Sequence, residues 1–307
     1  MQAQDGARAA RPAIQCPAGG HPGAVSLEVS GGGKGDGPAW SGILLAILLV
    51  GGCLNGFAAR GADGLLTDGI LTSVTQMFGI SPFEMIIAAI AAESLSRSGG
   101  QARGAFRWKG LPALAFCAML LVPIRLLSWI ATMGFSLWAA AGCRGAARRG
   151  ALLTAGLAAC AVWWSLGERS LGESVMSLDA TATAWMLSMV VHGVHRVNNL
   201  VTMPWGHSVV VLITCSTAYG MPLSVLSMVA LATRNGVFRG RRVAAVAVGL
   251  ALAYTVTNVI RLSLLAWSGE FYHIGHGPIG MGTFDALATI LTLWAAALAR
   301  RGSHARQ

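Results

Sequence analysis

Charged residues are scarce in this chain. They make up 11% of its 307 residues, whereas hydrophobic residues make up 54%. Soluble domains carry charge on about a quarter of their residues, so the composition excludes an ordinary soluble globule and indicates a polytopic membrane protein. The net charge is +10, but the basic residues collect in short loops between apolar runs. This is the positive-inside pattern of a protein in a lipid bilayer, so no nucleic-acid partner is predicted.

Cysteine is also sparse, with six in the chain and no CxxC pair. Most of the cysteines lie in or beside apolar runs, so the pattern shows no disulfide framework and argues against structural zinc. Two histidine pairs, His192 with His195 and His273 with His276, are spaced three apart but do not form the HExxH pattern. No metal and no cofactor is therefore predicted.

The N-terminal region lacks apolar periodicity. Residues 1–39 are rich in Gly and Ala and are predicted to form a disordered cytoplasmic tail. They are too long and too polar for the basic region of a signal peptide, so the first apolar run is expected to be a retained span.

Apolar runs define the architecture. A span needs about 20 mostly apolar residues, and five runs qualify: 42–59, 151–166, 209–231, 243–267 and 280–299. A weaker run covers 83–95. Residues 111–141 have basic clusters at both ends, which predicts a hairpin of two short helices turning near Pro123 and Arg125.

The resulting prediction is an all-α membrane protein with about eight transmembrane helices and both termini cytoplasmic. Residues 40–299 form the membrane domain, and residues 300–307 form a basic cytoplasmic tail. The basic clusters that set this topology are Arg97, Arg103, Arg107 and Lys109; Arg144, Arg148 and Arg149; Arg234, Arg239, Arg241 and Arg242; and Arg300, Arg301 and Arg306. The loop 268–279 must then lie on the outer face, and residues 180–191 are expected to form a helix at the outer interface.

Three reactive side chains fall near the outer ends of the last spans. Cys215 lies seven residues into the predicted descending helix 209–231, or roughly 10 Å below the outer boundary, and Arg261 lies at roughly 9 Å by the same rise per residue. His276 sits in the loop that follows. The predicted topology therefore brings a thiol, a guanidinium and an imidazole to one face.

These residue types suit cysteine chemistry. A thiol becomes a strong nucleophile as the thiolate, which a nearby cation stabilises. Arg261 can stabilise a thiolate or an oxyanion, and His276 can exchange a proton near neutral pH. Asn258, one helical turn before Arg261, can orient the guanidinium or donate to the oxyanion. Asp285 can pair with Arg261 or orient His276, and His273 is a further supporting candidate.

The ordered motifs resemble the exosortase and archaeosortase family of membrane transpeptidases. The matching residues are CST at 215–217, NVIR at 258–261, and His276 with Gly280 and Phe284. The preceding polar run VHRVNNLVTMPWGHSVVV is also similar, and the resemblance covers residues 191–287, the expected catalytic core. Thr217 departs from the family, which usually has Gly there, and its bulk is expected to narrow the approach to Cys215.

The resemblance implies an activity. A membrane-tethered substrate protein with a C-terminal tripartite signal, consisting of a short motif, an apolar helix and a basic end, would be cut at the outer face of the cytoplasmic membrane. Cys215 would form a thioester that passes to an acceptor nucleophile.

Other functions remain open at this point. The many spans and intramembrane polar groups also fit a non-enzymatic transporter or assembly factor for an envelope polymer or exopolysaccharide. Thr217 leaves open a family member without efficient turnover. Taken singly, Cys215 fits simple helix packing, and Arg261 fits a side chain that reaches toward the interface.

Overall fold

The computed structural model describes residues 40–68, 70, 80–97, 110–122, 124–166, 172–234 and 240–301. The predicted tail 1–39, the basic residues Arg103, Arg107, Lys109, Arg239 and Arg306, and the turn residue Pro123 lie outside this part. The helices are α1 (Trp40–Asp68), α2 (Pro82–Ser96), α3 (Gly110–Leu120), α4 (Arg125–Gly142), α5 (Gly145–Leu166), α6 (Gly172–Ser188), α7 (Thr217–Thr233), α8 (Gly240–Trp267), α9 (Gly269–His276) and α10 (Pro278–Arg300).

The protein is predominantly α-helical, and several of its helices are compatible with a membrane. In the described residues, four helical segments are long and apolar enough to cross one: Leu44–Ala62, Gly145–Leu166, Gly240–Trp267 and Gly280–Arg300. The other predicted spans correspond to α2, α3, α4 and α7, which are shorter or less apolar.

The helices pack in two groups. Helices α1, α2, α4 and α5 form one, and α7, α8 and α10 form the other. Helix α7 joins the groups because it packs on both α2 and α5. One polar contact marks this junction: the buried Ser227 hydroxyl donates to the Phe83 carbonyl at 3.2 Å. Such contacts are typical of helix association in lipid, where apolar burial alone does not hold helices together.

A pair of glycines brings α1 close to α4. A Cβ at Gly56 would overlap the Trp129 indole, and one at Gly52 would overlap Thr132. The spacing of these glycines is the GxxxG pattern of close helix pairs. Trp129 is consequently almost fully buried.

The predicted hairpin over 111–141 corresponds to α3 and α4, which pack on each other. Asn55 of α1 ties the junction together, because its Nδ2 donates to the Leu120 carbonyl at 3.2 Å and to the Ser128 hydroxyl at 3.0 Å. The prediction of two short helices here is confirmed.

The structure contains one small sheet that the all-α prediction did not include. Strands β1 (His195–Val197), β2 (Leu200–Thr202) and β3 (Ser208–Val210) form an antiparallel sheet in that order. Asn198 turns β1 into β2 with φ 53°, a conformation that asparagine tolerates better than most residues. Buried Val201 and Val209 pair across β2 and β3 and form part of an apolar cluster with α8.

Two predicted boundaries are wrong as a result. The expected helix 209–231 begins only at Thr217, since its first residues belong to β3 and to a 3₁₀ turn, Ile213–Cys215. The expected interfacial helix 180–191 is α6, which begins at Gly172 and ends at Ser188.

The segment 268–279 is also more ordered than the predicted loop. It contains α9, whose first turn is capped by the Ser268 hydroxyl accepting from the Phe271 amide at 3.2 Å. Helix α9 packs on α8 and α10 and so carries its histidines back over the end of the bundle.

Candidate functional site

Cys215 lies immediately before a helix, not inside one. It ends the 3₁₀ turn, and Ser216 caps α7 by accepting a hydrogen bond from the Ala218 amide at 3.2 Å. Serine is a preferred residue at this position because its oxygen satisfies an otherwise unpaired amide. The thiol is therefore held on a tight turn between the sheet and the helix, where it is partly exposed.

A buried carboxylate that the sequence analysis missed holds this turn. Asp179 of α6 accepts from the Ser216 hydroxyl at 2.6 Å and from the Thr217 amide at 2.8 Å. Its side chain is buried, and a buried carboxylate needs such donors to offset its loss of water. The available signal was an isolated aspartate in the otherwise uncharged run 174–187.

His276 contacts the thiol. Its Nε2 lies 3.9 Å from the Cys215 Sγ, although the residues are 61 positions apart. Tyr272, one turn earlier on α9, stacks on the imidazole with ring centroids 4.2 Å apart. The Nδ1 atom is buried, and the Tyr272 backbone lies close enough to favour the protonated ring. Stacking on Tyr272 therefore orients this ring.

The surroundings of His276 favour its neutral form. Burial lowers the pKa of its imidazole, and the positive charge of Arg261 lowers it further, while the Tyr272 backbone opposes this shift. A neutral imidazole is the form that accepts a proton. The His276 imidazole therefore stays neutral to a lower pH than an ordinary histidine does.

Arg261 stands beside the pair without bonding to it. Its guanidinium lies over the Phe284 ring, 5.0 Å from the centroid, which explains why an aromatic residue suits this position. Its Nε is buried and has no hydrogen-bond partner in the described part of the chain. Arg261 also lines a cavity of about 30 Å³ between α8 and α10.

Asn258 braces the cysteine turn instead of the guanidinium. Its Nδ2 donates to the Cys215 carbonyl at 2.9 Å and to the Thr217 hydroxyl at 3.2 Å. The Asn258 amide therefore bonds to the turn, and not to its two predicted partners, the Arg261 guanidinium and an oxyanion. Thr217 is buried and adds an acceptor for this amide, so its extra atoms serve the brace.

A glycine allows α9 and α10 to meet at the site. A Cβ at Gly280 would overlap the Ile274 carbonyl and the Gly275 Cα. Any larger residue would push α10, which carries Phe284, away from α9. The Gly and Phe positions that follow His276 in the sequence pattern thus have separate physical roles.

The remaining candidates take no direct part in the cluster. Asp285 is exposed and lines the same cavity as Arg261, but no ion pair joins the two within the described residues. His273 is exposed on α9 and meets the edge of the Tyr272 ring, with centroids 6.0 Å apart. The structure therefore brings Cys215, His276 and Asn258 together, with Arg261 adjacent.

The sheet is anchored beside the site by two residues from its β2–β3 connection. The Trp205 indole donates to the Trp267 carbonyl at 3.0 Å, and His207 Nε2 lies 3.1 Å from the Leu265 carbonyl. Both acceptors belong to the last turn of α8. These bonds fix the sheet, and hence the turn that follows it, to the helix that carries Arg261.

Comparison of the chain with protein-family models, with curated proteins and with solved structures found no match.

Proposed function

We propose that this protein is a membrane-embedded cysteine transpeptidase of the exosortase and archaeosortase type. The observation that carries the proposal is the 3.9 Å contact between the Cys215 thiol and the His276 imidazole. A thiol beside an imidazole base is the minimal arrangement for nucleophilic cysteine catalysis. The ordered motifs around both residues support the same reaction.

In the first half-reaction, His276 Nε2 takes the thiol proton and the Cys215 sulfur attacks the scissile carbonyl of the substrate. A C–S bond forms, and the carbonyl oxygen becomes an oxyanion. Collapse of this intermediate breaks the C–N bond, and the imidazolium returns its proton to the departing amine. The membrane-bound tail leaves, and the rest of the substrate remains as a thioester on Cys215.

In the second half-reaction, an acceptor nucleophile attacks the thioester. His276, neutral again, takes the acceptor's proton and passes it to the sulfur as the C–S bond breaks. The acceptor thereby receives the acyl group, and the free thiol is restored. Water in place of the acceptor would give simple hydrolysis.

Arg261 is assigned to the oxyanion. Its buried Nε lacks a partner among the described residues, and a preorganised cation that is unpaired before substrate binds stabilises developing negative charge most effectively. The stacking on Phe284 restricts the guanidinium plane. Catalytic contacts are often long in ligand-free structures and shorten when substrate binds, which is consistent with the lack of a direct bond to Cys215.

The topology proposed for this function has about eight spans, with both termini in the cytoplasm and the site facing the exterior or periplasm of the cytoplasmic membrane. The four long apolar helices support a membrane location. Substrates would be membrane-tethered proteins with a C-terminal tripartite signal, cut just outside the bilayer.

The two glutamates that a transport path would use, Glu84 and Glu93, form ion pairs with arginines. Glu84 pairs with Arg60 at 2.9 Å, and Glu93 pairs with Arg97 at 2.6 Å and Arg234 at 2.7 Å. The first pair is buried within the bundle and the second set lies at one end of it. This separation favours the enzyme over a polymer transporter.

The decisive experiment traps the thioester. The chain is co-produced with a membrane-tethered reporter that ends in a short motif, an apolar helix and a basic tail. Mass analysis should find the reporter joined to the peptide that contains Cys215, and hydroxylamine should release it. Cys215→Ala should abolish the adduct and the release of the tail, while Cys160→Ala, a cysteine in α5, serves as the matched control. Normal tail release by Cys215→Ala would refute the proposal.

A further inference from the structure

A cleft with arginines in its wall lies at the opposite end of α7 from Cys215. It forms where the C-terminal ends of α2 and α7 meet the start of α5, and its volume is about 340 Å³. We call it the arginine cleft. Its lining residues are Glu93, Ser94, Arg97, Ala146, Arg149 and Arg234.

One carboxylate holds two of the guanidinium groups side by side. Glu93 receives the Arg97 Nη2 at 2.6 Å, the Arg234 Nε at 2.7 Å and the Arg234 Nη2 at 2.8 Å. Two cations so placed would otherwise repel each other. Glu93 therefore acts as a brace that keeps both arginines at the rim of the cleft.

The third arginine is positioned by the backbone. The Arg149 Nη1 donates to the Thr233 carbonyl at 2.9 Å, near the C-terminal end of α7. A cation at this place also compensates the partial negative charge of the helix end. Arg149 is thus held beside the Glu93 brace by a bond that leaves its other N–H groups for a ligand.

We propose that the arginine cleft binds a phosphate-bearing anion, supplied by a phospholipid headgroup or by free phosphate. Three arginines face one glutamate in its wall, so the cleft keeps an excess of positive charge. Each of the three guanidiniums retains N–H groups that bond to no other residue in the described ranges. Several converging guanidiniums are the preferred partners of phosphate oxygens.

The position of the cleft matches the headgroup layer. It lies at the ends of apolar helices, where the apolar surface of the bundle stops and the arginines begin, and basic pockets between helices at this level bind lipid headgroups. Its volume exceeds the space that a single water molecule needs. The cleft lies at the far end of α7 from Cys215, so anion binding there requires no reaction at the thiol.

The test measures ligand-induced stabilisation of the purified full chain in a neutral detergent. Short-chain dioctanoyl phosphatidylglycerol is titrated while the thermal unfolding midpoint is followed, with dioctanoyl phosphatidylcholine and inorganic phosphate in parallel arms. The double variant Arg97→Gln/Arg149→Gln removes two cleft cations. The matched control is Arg241→Gln/Arg242→Gln, which removes the same charge at exposed positions on α8 that do not line the cleft.

We expect phosphatidylglycerol to raise the midpoint saturably and to bind about tenfold more weakly to the cleft variant, a loss that corresponds to two exposed charge contacts. The control should bind as the unmodified chain does. An equal response to inorganic phosphate supports the site with free phosphate as its source. If the cleft variant does not fold, Arg97→Gln alone is used, since its side chain is 63% exposed. Equal weakening in both double variants, or an equal response to phosphatidylcholine, overturns the proposal.

Discussion

Two clusters of ionisable side chains lie within the bundle, and they differ in how completely their groups are paired. In the first, Arg60 Nη1 donates to both oxygens of Glu84 at 3.0 and 2.9 Å, and Glu84 also accepts from the Ser81 amide at 2.8 Å. In the second, the Arg261 guanidinium forms no ion pair within the described residues and lies over the Phe284 ring, 5.0 Å from its centroid. A partly buried cation without a counter-ion is costly, so a cluster that keeps one fits a site built for a ligand.

The pairing of Glu84 also has a local origin. Ser81 and Glu84 form a capping box at the start of α2, with the Ser81 hydroxyl accepting from the Phe83 amide at 3.3 Å. Glu84 therefore caps the start of α2 and neutralises Arg60 at the same time. No comparable ion pair holds Arg261 within the described part of the chain. We call Arg60 with Glu84 the bracing cluster, and Cys215, Arg261 and His276 the reactive cluster.

The largest effect is expected from removing the base of the reactive cluster. His276→Gln should lower the rate of tail release from a reporter substrate by about 10²–10⁴-fold, the usual contribution of a positioned proton acceptor. Its unfolding free energy should change by less than about 1 kcal/mol because the side chain is only partly buried. His195→Gln, at an exposed position on β1, is the control. Full activity in His276→Gln would remove the base from the mechanism.

A substitution in the bracing cluster should lower the unfolding free energy of the protein. Arg60→Met leaves Glu84 buried beside an apolar side chain, which should cost about 3–5 kcal/mol of unfolding free energy. Arg261→Met removes a cation that has no ion pair in the described residues, so it should cost less than about 1 kcal/mol. Denaturant unfolding in bicelles measures both. The double variant Arg60→Met/Glu84→Met should recover most of the lost unfolding free energy. Equal losses in Arg60→Met and Arg261→Met would show that the two clusters do not differ in this way.

A smaller effect is expected at Asp179, which braces the reactive cluster without reacting. Asp179→Asn replaces a charged acceptor of two hydrogen bonds, which should cost about 1–3 kcal/mol. The Thr217 amide should then exchange its hydrogen faster, because its bond to the carboxylate weakens. Hydrogen exchange with mass analysis reports this change, and Glu173→Gln at the exposed start of α6 is the control. Unchanged exchange at Thr217 would show that the carboxylate does not hold the turn.

The smallest expected effect is a shift in the titration of His276. The Arg261 cation lowers the pKa of this imidazole after burial does, so Arg261→Gln should raise that pKa toward the ordinary value. Diethyl pyrocarbonate reacts with the neutral imidazole, so the rate of His276 carbethoxylation falls as the pH is lowered through the pKa. Mass analysis should show that this fall begins at a higher pH in Arg261→Gln than in the unmodified chain. Arg241→Gln removes the same charge at the far end of α8 and should leave the profile in place. A shift in the opposite direction would contradict the assigned electrostatics.

The linked effect on stability has a definite sign. Because the folded-state pKa of His276 lies below its ordinary value, the unfolded chain takes up the proton first as the pH falls. Stability should therefore decrease as the pH drops below about 6.5, until the folded state also binds the proton. In the Arg261→Gln variant, stability should decrease over a narrower pH range.

The sequence predicted the long apolar helices well and the segments between them poorly. Hydropathy alone located the spans near α1, α5, α8 and α10, because lipid requires long uninterrupted apolar helices. It misread residues 209–216 as helix, although they form β3 and the cysteine turn. A run of Val, Leu and Ile has the same hydropathy in a strand as in a helix, and its length and neighbours must decide between them.

The sequence by itself determined that the chain is rich in apolar helices, because composition and hydropathy carry that information, and it predicted Cys215, Arg261 and His276 as catalytic residues. Only the tertiary structure decided how the thiol is held. Asp179, Asn258 and Ser216 come from three distant segments, and their hydrogen bonds exist only after α6, α7 and α8 have packed. A hydrogen bond depends on distances of a few tenths of an ångström, and no sequence pattern encodes such distances between residues far apart in the chain.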